Sequence, residues 1–102
     1  MFALVVRFDL IDAEKAIAFD KLVAETVAAI RESEPGTLVY ATHVVEDEPL
    51  ARVFYEVYAD QAAHRTHEQQ PHTRRFLDER HLYTAGVRVE FLTPSAEKGL
   101  PA

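Results

Sequence analysis

Hydrophobic and polar residues alternate in four stretches of the chain, as expected for strands that bury one face. In the first stretch, Phe2 to Leu10, alternation places Leu4, Val6 and Phe8 on one face and polar residues mostly on the other. Three later stretches have the same period-two order and complete the predicted set of strands: Thr37 to His43, Arg52 to Tyr58 and Ala85 to Leu92. A turn from Glu46 to Pro49 is predicted to join the middle two as an antiparallel hairpin.

Two regions between these strands have helical spacing. From Ala13 to Glu32 apolar residues recur on one face, and Asp12 stands where an N-cap is expected. Glu34-Pro35-Gly36 ends this helix, because proline disfavours helical geometry in the residue before it. Asp60 is predicted to cap a second helix from Gln61 to about Gln70. Pro71 then begins a further helical segment that runs to roughly Arg80.

The predicted order is therefore β-α-β-β-α-β, which is the ferredoxin-like α+β arrangement with both helical regions on one face of an antiparallel sheet. Strand one carries apolar residues on both faces, so the face without helices also needs a cover. A second subunit is the simplest cover, and we expect a homodimer. Residues 1–92 form the predicted domain, and residues 93–102 form a C-terminal tail without periodicity.

Composition narrows the classes of function. The chain has 102 residues and a net charge of −6 without a basic cluster, which argues against binding of nucleic acid or of an anionic membrane. It has no cysteine, which excludes disulfides and thiolate catalysis and fits the reducing cytoplasm. The N-terminal apolar run is too short for a signal peptide or a membrane span. We therefore expect a cytoplasmic protein.

The hairpin and the second helical region together predict a pocket. Strand alternation puts Phe54, Glu56 and Tyr58 on one face, and Tyr40 and His67 are expected nearby. In a purely structural alternative, the aromatic residues fill the core and Glu56 pairs with Arg52 on a solvated face.

Histidines add candidate chemistry to this pocket. His64 and His67 are three residues apart and lie on neighbouring positions of one helix face. They could hold a metal with Glu56 or Glu68, but no HExxH or comparable ligand set is present, and we expect no metal site. His67 is expected to hydrogen-bond Glu56 or a substrate oxygen. The pKa of an imidazole lies near neutrality, which suits proton removal from a phenol.

Three elements of the sequence together resemble the antibiotic biosynthesis monooxygenase superfamily. They are Glu34-Pro35-Gly36 followed by Tyr40, then Tyr55-Glu56 followed by Tyr58, and finally Ala63, His67, Pro71-His72 and Phe76 in that order. The resemblance covers about residues 2 to 92. It implies a dimeric ferredoxin-like α/β barrel that oxidises electron-rich phenols with dioxygen and needs no cofactor.

By position, the resemblance makes His67 the candidate base, Tyr58 the orienting group and Glu56 a third catalytic candidate. Tyr40, Phe54, His64, His72 and Phe76 are then candidates for binding a small aromatic substrate. Many members carry Trp where this chain has Tyr58. The polyketide-oxidising branch has Asn and Trp at the positions of Phe54 and Tyr58, and the axial histidine of the haem-degrading branch falls at Phe76.

These departures leave three alternatives for the function. The first is a cofactor-independent monooxygenase that acts on a small phenol or quinol. The second is a dimer that binds a small aromatic ligand without turning it over, and the third is an isomerase of a small oxidised metabolite.

Overall fold

A computed structural model describes residues 1–101 and confirms the predicted α+β fold. The strands are β1 (Phe2–Leu10), β2 (Thr37–Val45), β3 (Glu48–Tyr58) and β4 (Thr84–Leu92). The helices are α1 (Ala13–Ser33), α2 (Gln61–Gln69) and α3 (Pro71–Glu79), and a 3-10 turn at Arg80–Leu82 follows α3. The strands form one four-stranded sheet in the order β2-β3-β1-β4, with every neighbouring pair antiparallel.

Local sequence signals set the helix starts. The Asp12 side chain accepts a hydrogen bond from the backbone N–H of Lys15 at 2.8 Å, and Asp60 accepts one from the backbone N–H of Ala63 at 2.7 Å. Each cap satisfies a backbone donor that has no partner within its helix. Pro71 occupies the first turn of α3, where a missing N–H costs nothing. The three predicted helix starts are therefore confirmed.

The core lies between the three helices and one face of the sheet. Leu4, Val6 and Phe8 of β1 point to this face, together with Phe54 and Tyr58 of β3. Four phenylalanine rings form its centre, and the centroids of every pair lie between 4.7 and 6.1 Å apart: Phe8, Phe19, Phe54 and Phe76. These rings come from β1, α1, β3 and α3, so one aromatic cluster fixes the helices over the sheet.

The hairpin differs from its prediction. Only Glu46-Asp47 separates β2 from β3, and Asp47 takes the left-handed φ of 62°, which aspartate tolerates better than most residues. Pro49, predicted to lie in the turn, instead lies inside β3. Pairing between β1 and β3 stops at Ala51, so Pro49 lies beyond the partner strand and its missing N–H breaks no bond to β1.

Gly36 permits close contact between the start of β2 and helix α2. A Cβ placed on Gly36 would lie 2.8 Å from the Cβ of Ala63 in the first turn of α2. The backbone of Gly36 does not have a positive φ, so the contact, and not conformational freedom, makes glycine necessary here. Because α2 carries His64 and His67, this contact also fixes the height of both imidazoles above the sheet.

Replacing Gly36 with alanine should therefore push α2 away from β2. We expect Gly36→Ala to lower the free energy of unfolding by about 1–3 kcal/mol, the usual cost of overpacking, as measured by urea denaturation. The matched control is Gly86→Ala, where the nearest atom to the new Cβ would be 3.6 Å away. A Gly36→Ala variant as stable as the Gly86→Ala variant would contradict this interpretation.

Candidate active site

A cavity of about 170 Å³ lies between the sheet and helices α2 and α3. Its apolar lining comes from four elements, β1, β3, β4 and α3: Leu4, Val6, Phe8, Phe54, Phe76, Leu77, Val89 and Phe91. Its polar lining is Tyr40, Glu56, His64, His67, Glu68, Thr73 and Arg80. A concave, mostly apolar space with a few converging polar groups is the usual form of a small-molecule site.

The two largest hollows offer less chemistry. One of about 350 Å³ lies between α1 and β2, and another of about 520 Å³ lies beside the start of α1. Both include Asp20 and Arg52, whose side chains bind each other through two hydrogen bonds of 2.9 and 3.0 Å. Their charges are thus already paired. The predicted pairing of Arg52 with Glu56 is therefore wrong, since Arg52 turns instead to α1.

Strand register brings the central groups of the cavity together. Alternation along β3 directs Phe54, Glu56 and Tyr58 toward the helices, and Tyr40 of β2 stands directly opposite Glu56 in the ladder. On α2, His64 and His67 share one face, and the ring of His67 lies 5.5 Å from that of Tyr40 and 5.2 Å from that of Tyr58. The structure thus places an imidazole and a carboxylate on the same cavity, as the sequence predicts.

Glu56 is a buried carboxyl with one strong hydrogen bond. It is 5% exposed, and the Tyr58 hydroxyl donates to its Oε1 at 2.5 Å. Burial raises the pKa of Glu56 from 4.5 to about 7, and the charges of Glu34 and Glu68 act in the same direction. The Tyr58 hydrogen bond and the charge of Arg80 oppose this rise. Glu56 can therefore both hold and release a proton near neutral pH.

The two tyrosines beside Glu56 are hydrogen-bond donors and not bases. Burial raises the pKa of Tyr40 well above its ordinary value of 10.0, and burial together with the Glu56 charge raises the pKa of Tyr58 as well. Tyr58 is fully buried and does not line the cavity. It reaches the cavity only through Glu56, and this placement suits an orienting role.

A second carboxylate, Glu34, holds the histidines. Its side chain is 2% exposed, and Oε1 accepts from His67 Nδ1 and from the Thr37 hydroxyl, both at 2.7 Å. Its Oε2 is hydrogen-bonded to His72 Nε2. Of the two partners predicted for His67, Glu56 is therefore wrong, because the imidazole faces Glu34 through Nδ1, and a substrate oxygen stays a prediction. Burial lowers the pKa of His67, although the charge and hydrogen bond of Glu34 act in the opposite direction.

The predicted site residues divide into two groups. Those that line the cavity are Tyr40, Phe54, Glu56, His64, His67 and Phe76. Tyr58 and His72 lie behind them, bound to Glu56 and Glu34 respectively. Sequence reasoning missed Glu34, Thr73 and Arg80 as members of the site, and it considered Glu68 only as a possible metal ligand. Of the missed residues, only Glu34 belongs to a recognisable sequence element, Glu34-Pro35-Gly36, but that element was interpreted as the end of a helix.

The part of the chain that the structure describes has neither a metal-binding cluster nor a membrane-spanning helix. No three His, Asp or Glu side chains within residues 1–101 are grouped so that they could hold a metal ion. Over the same part of the chain, each helix is too short or too polar to cross a lipid bilayer.

Comparison with known proteins points to one family. The model of the antibiotic biosynthesis monooxygenase family matches residues 1–79. A search of curated proteins gives no significant match.

Solved structures share the fold over nearly the whole chain. A Bacteroides thetaiotaomicron protein named for the antibiotic biosynthesis monooxygenases has a TM-score of 0.88 at 23% identity, over 99% of this chain and 94% of its own. Rv0793 from Mycobacterium tuberculosis has a TM-score of 0.86 at 22% identity, over 96% and 98%. A Caulobacter crescentus protein of the same designation has 0.85 at 23%, over 93% and 90%. At these identities the likeness establishes the fold.

The buried Glu56 carboxyl should make stability fall as the pH rises. Its pKa is about 7 in the folded protein and 4.5 in the reference state, so between these values the folded chain keeps a proton that the unfolded chain has lost. The free energy of unfolding should therefore fall by about 3 kcal/mol as the pH rises from below the lower pKa to above the higher one. Urea denaturation of the wild type at a series of pH values measures it.

Glu56→Gln should remove this pH dependence while it keeps an acceptor for the Tyr58 hydroxyl. We expect the variant to lose less stability than the wild type between about pH 5 and pH 8. The matched control is Glu32→Gln, because Glu32 is exposed near the end of α1 and does not line the cavity. Parallel pH curves for the wild type and Glu56→Gln would show that Glu56 titrates normally.

Proposed function

Because the chain belongs to the antibiotic biosynthesis monooxygenase family, we propose that it is a monooxygenase that oxidises a small phenol or quinol with dioxygen. One observation carries the proposal. Glu56, with a pKa of about 7, and His67, an imidazole held by a carboxylate, line the same aromatic-walled cavity. Two groups that exchange protons near neutral pH are what the oxidation of a phenol requires.

The size of the cavity favours a substrate with a single ring. An apolar cavity of about 150 Å³ is enough to hold benzene, and this one measures about 170 Å³. Phenylalanine and leucine side chains supply most of its wall, while the polar groups provide hydrogen bonds for ring hydroxyls. Phe54 and Phe76 limit the space available for a larger fused-ring substrate.

The reaction begins with a proton transfer. The substrate hydroxyl gives its proton to His67, which leaves a phenolate in a mostly apolar cavity. The phenolate is electron-rich, so it supplies the electrons that dioxygen accepts, and no prosthetic group is required. Burial keeps His67 in its neutral, proton-accepting form, because it lowers the pKa of the imidazole.

Glu56 supplies a proton in the second half of the reaction. Dioxygen adds to a ring carbon that bears hydrogen, and the resulting peroxide accepts a proton from the neutral Glu56 carboxyl. The Glu56 carboxylate then takes the proton of that carbon, which breaks the O–O bond, forms the new carbonyl and expels the outer oxygen as hydroxide. The imidazolium of His67 gives the hydroxide the proton that makes it water, so both side chains return to their starting states. One phenol and one dioxygen thus give one quinone and one water, with four electrons transferred from the ring to oxygen.

An isomerase is the second candidate, and the same two groups favour it. A carboxyl with a pKa near 7 beside a neutral imidazole is also the arrangement that moves a proton between neighbouring carbons of a hydroxy ketone. The two reactions differ in their use of dioxygen. Product formation without oxygen uptake would show that the protein is an isomerase. Binding of a ligand with neither product formation nor oxygen uptake would show that it is a ligand-binding protein.

Oxygen consumption with a panel of monocyclic phenols and hydroquinones, without added metal or flavin, tests the proposal. His67→Ala and Glu56→Gln should each lower kcat by about 10²–10⁴-fold, the usual contribution of acid–base catalysis. Tyr58→Phe, which frees the Glu56 carboxyl, should lower it as well.

The control is His81→Gln, because His81 is an exposed histidine outside the cavity. Turnover by the wild type that survives in His67→Ala would remove His67 from the mechanism. No oxygen uptake with any member of the panel counts against the monooxygenase.

The proposal includes a homodimer formed through the sheet face opposite the helices. Val5, Val53 and Tyr55 lie on that face by strand alternation and are only half-buried. Arg7, Arg88 and Glu90 surround them with charges of both signs. A half-apolar centre with a charged rim is typical of an interface between subunits.

Val53→Lys should break this dimer, because it places a charge at the centre of the face. Sedimentation velocity should give twice the chain mass for the wild type and the single-chain mass for the variant. Ile17→Lys is the matched control, since Ile17 is 73% exposed on the outer surface of α1. Dissociation by Ile17→Lys but not by Val53→Lys would move the interface to the helical side.

A further inference from the structure

The cluster of Glu34, His67 and His72 lies next to the cavity, yet neither Glu34 nor His72 lines it. Glu34 stands 33 residues before His67 and 38 before His72. Glu34 is the C-cap residue of α1, and its side chain is almost fully buried. A carboxylate withdrawn from water needs compensation, and three hydrogen bonds provide it here.

The donors identify the protonated nitrogen of each imidazole. An ionised carboxylate can only accept hydrogen bonds, so the nitrogens that contact Glu34 must carry hydrogen. His67 therefore donates Nδ1–H, and neutral His67 has its lone pair on Nε2. His72 likewise donates Nε2–H to the other carboxylate oxygen, and Thr37 completes the set. The carboxylate is held from three sides and cannot rotate away from His67.

Nε2 of His67 remains available. It makes no hydrogen bond within residues 1–101, and over the same residues no buried side-chain nitrogen or oxygen lacks a partner. Nε2 must then open onto the space beside it, although the His67 side chain as a whole is only 6% exposed. The imidazole thus has one nitrogen fixed on a buried carboxylate and the other free to accept a proton.

We infer that Glu34 is the positioning residue of His67. It fixes the imidazole in the tautomer that accepts a proton at Nε2, and it faces the imidazolium that forms when a substrate hydroxyl gives up its proton. In that step the O–H bond of the substrate breaks and an Nε2–H bond forms, which leaves a phenolate and an imidazolium–carboxylate pair. His72 acts one step further out and holds Glu34 in place. The catalytic part of this inference rests on the proposed function, but the tautomer does not.

Other titratable groups surround His67 and bear on its protonation. From the elements packed against it these are Glu34 after α1, Tyr40 on β2, Glu56 and Tyr58 on β3, His64 on α2 and His72 on α3. Among these titratable groups of residues 1–101 only the Glu34 carboxylate contacts a ring nitrogen of His67, at 2.7 Å from Nδ1, and the uncharged Thr73 hydroxyl lies 3.4 Å from the same nitrogen. Its removal should therefore lower the pKa of His67, whereas loss of a remote carboxylate should change it little.

Nitrogen-15 NMR of the ring nitrogens, followed through a pH titration, tests the tautomer without any substrate. In the wild type we expect hydrogen on Nδ1 and a lone pair on Nε2. In Glu34→Gln the pKa of His67 should fall, and kcat should fall at least about 10-fold with little change in KM, as for other residues that orient a catalytic histidine. Glu32→Gln, two residues earlier on the exposed surface of α1, is the matched control and should behave as wild type.

His72→Ala guards against a Glu34→Gln variant that fails to fold, because it removes one donor, leaves the carboxylate and opens space for an added imidazole. We expect a smaller loss of kcat and partial recovery when imidazole is added, since the His72 side chain is 15% exposed. Hydrogen on Nε2 of wild-type His67, or an unchanged pKa in Glu34→Gln, would overturn the inference even if turnover is found. If His67 has the expected tautomer but no phenol is turned over, the positioning role of Glu34 stands and the proposed reaction is wrong.

Discussion

The buried carboxylate of Glu34 is the interaction on which the arrangement of the site depends. It follows the last turn of α1, accepts the hydroxyl of Thr37 at the start of β2, and binds an imidazole from each of α2 and α3. Four elements therefore meet at two oxygen atoms. Loss of the carboxylate would leave the buried His67 and the partly buried Thr37 and His72 without this acceptor, and a buried donor left unpaired costs about 1–3 kcal/mol.

A comparison of the two buried carboxylates explains why they differ chemically. Glu34 accepts three hydrogen bonds, whereas Glu56 accepts one, from Tyr58. Hydrogen bonds to the charged form stabilise it, and burial without them destabilises it. The pKa of Glu56 accordingly rises to about 7. Glu56 thus has the surroundings of a group that can exchange a proton, whereas three hydrogen bonds hold the Glu34 side chain in one orientation.

Sequence periodicity predicted the elements well because each signal is local. The apolar stripe of α1, the caps Asp12 and Asp60 and the alternation of β1 all depend on residues within a few positions. The turn prediction failed at Pro49, because proline is a strong local turn signal, and its tolerance inside β3 depends on where β1 ends.

The contacts within the site could not be predicted in the same way. Alternation and helical spacing found Glu56, Tyr58, His64 and His67, since these share faces of single elements. The partner of His67 depends on how the end of α1 meets α2, and the partner of Arg52 is Asp20, 32 residues earlier. Pairings across such separations follow from tertiary packing, so periodicity alone could not favour Glu34 over Glu56 as the partner of His67. Packing also decides the size of the cavity, since three rings of the four-phenylalanine cluster, Phe8, Phe54 and Phe76, line this space of about 170 Å³ beside Glu56. The cluster that holds the helices on the sheet thus also restricts the size of a molecule that could reach Glu56 and His67.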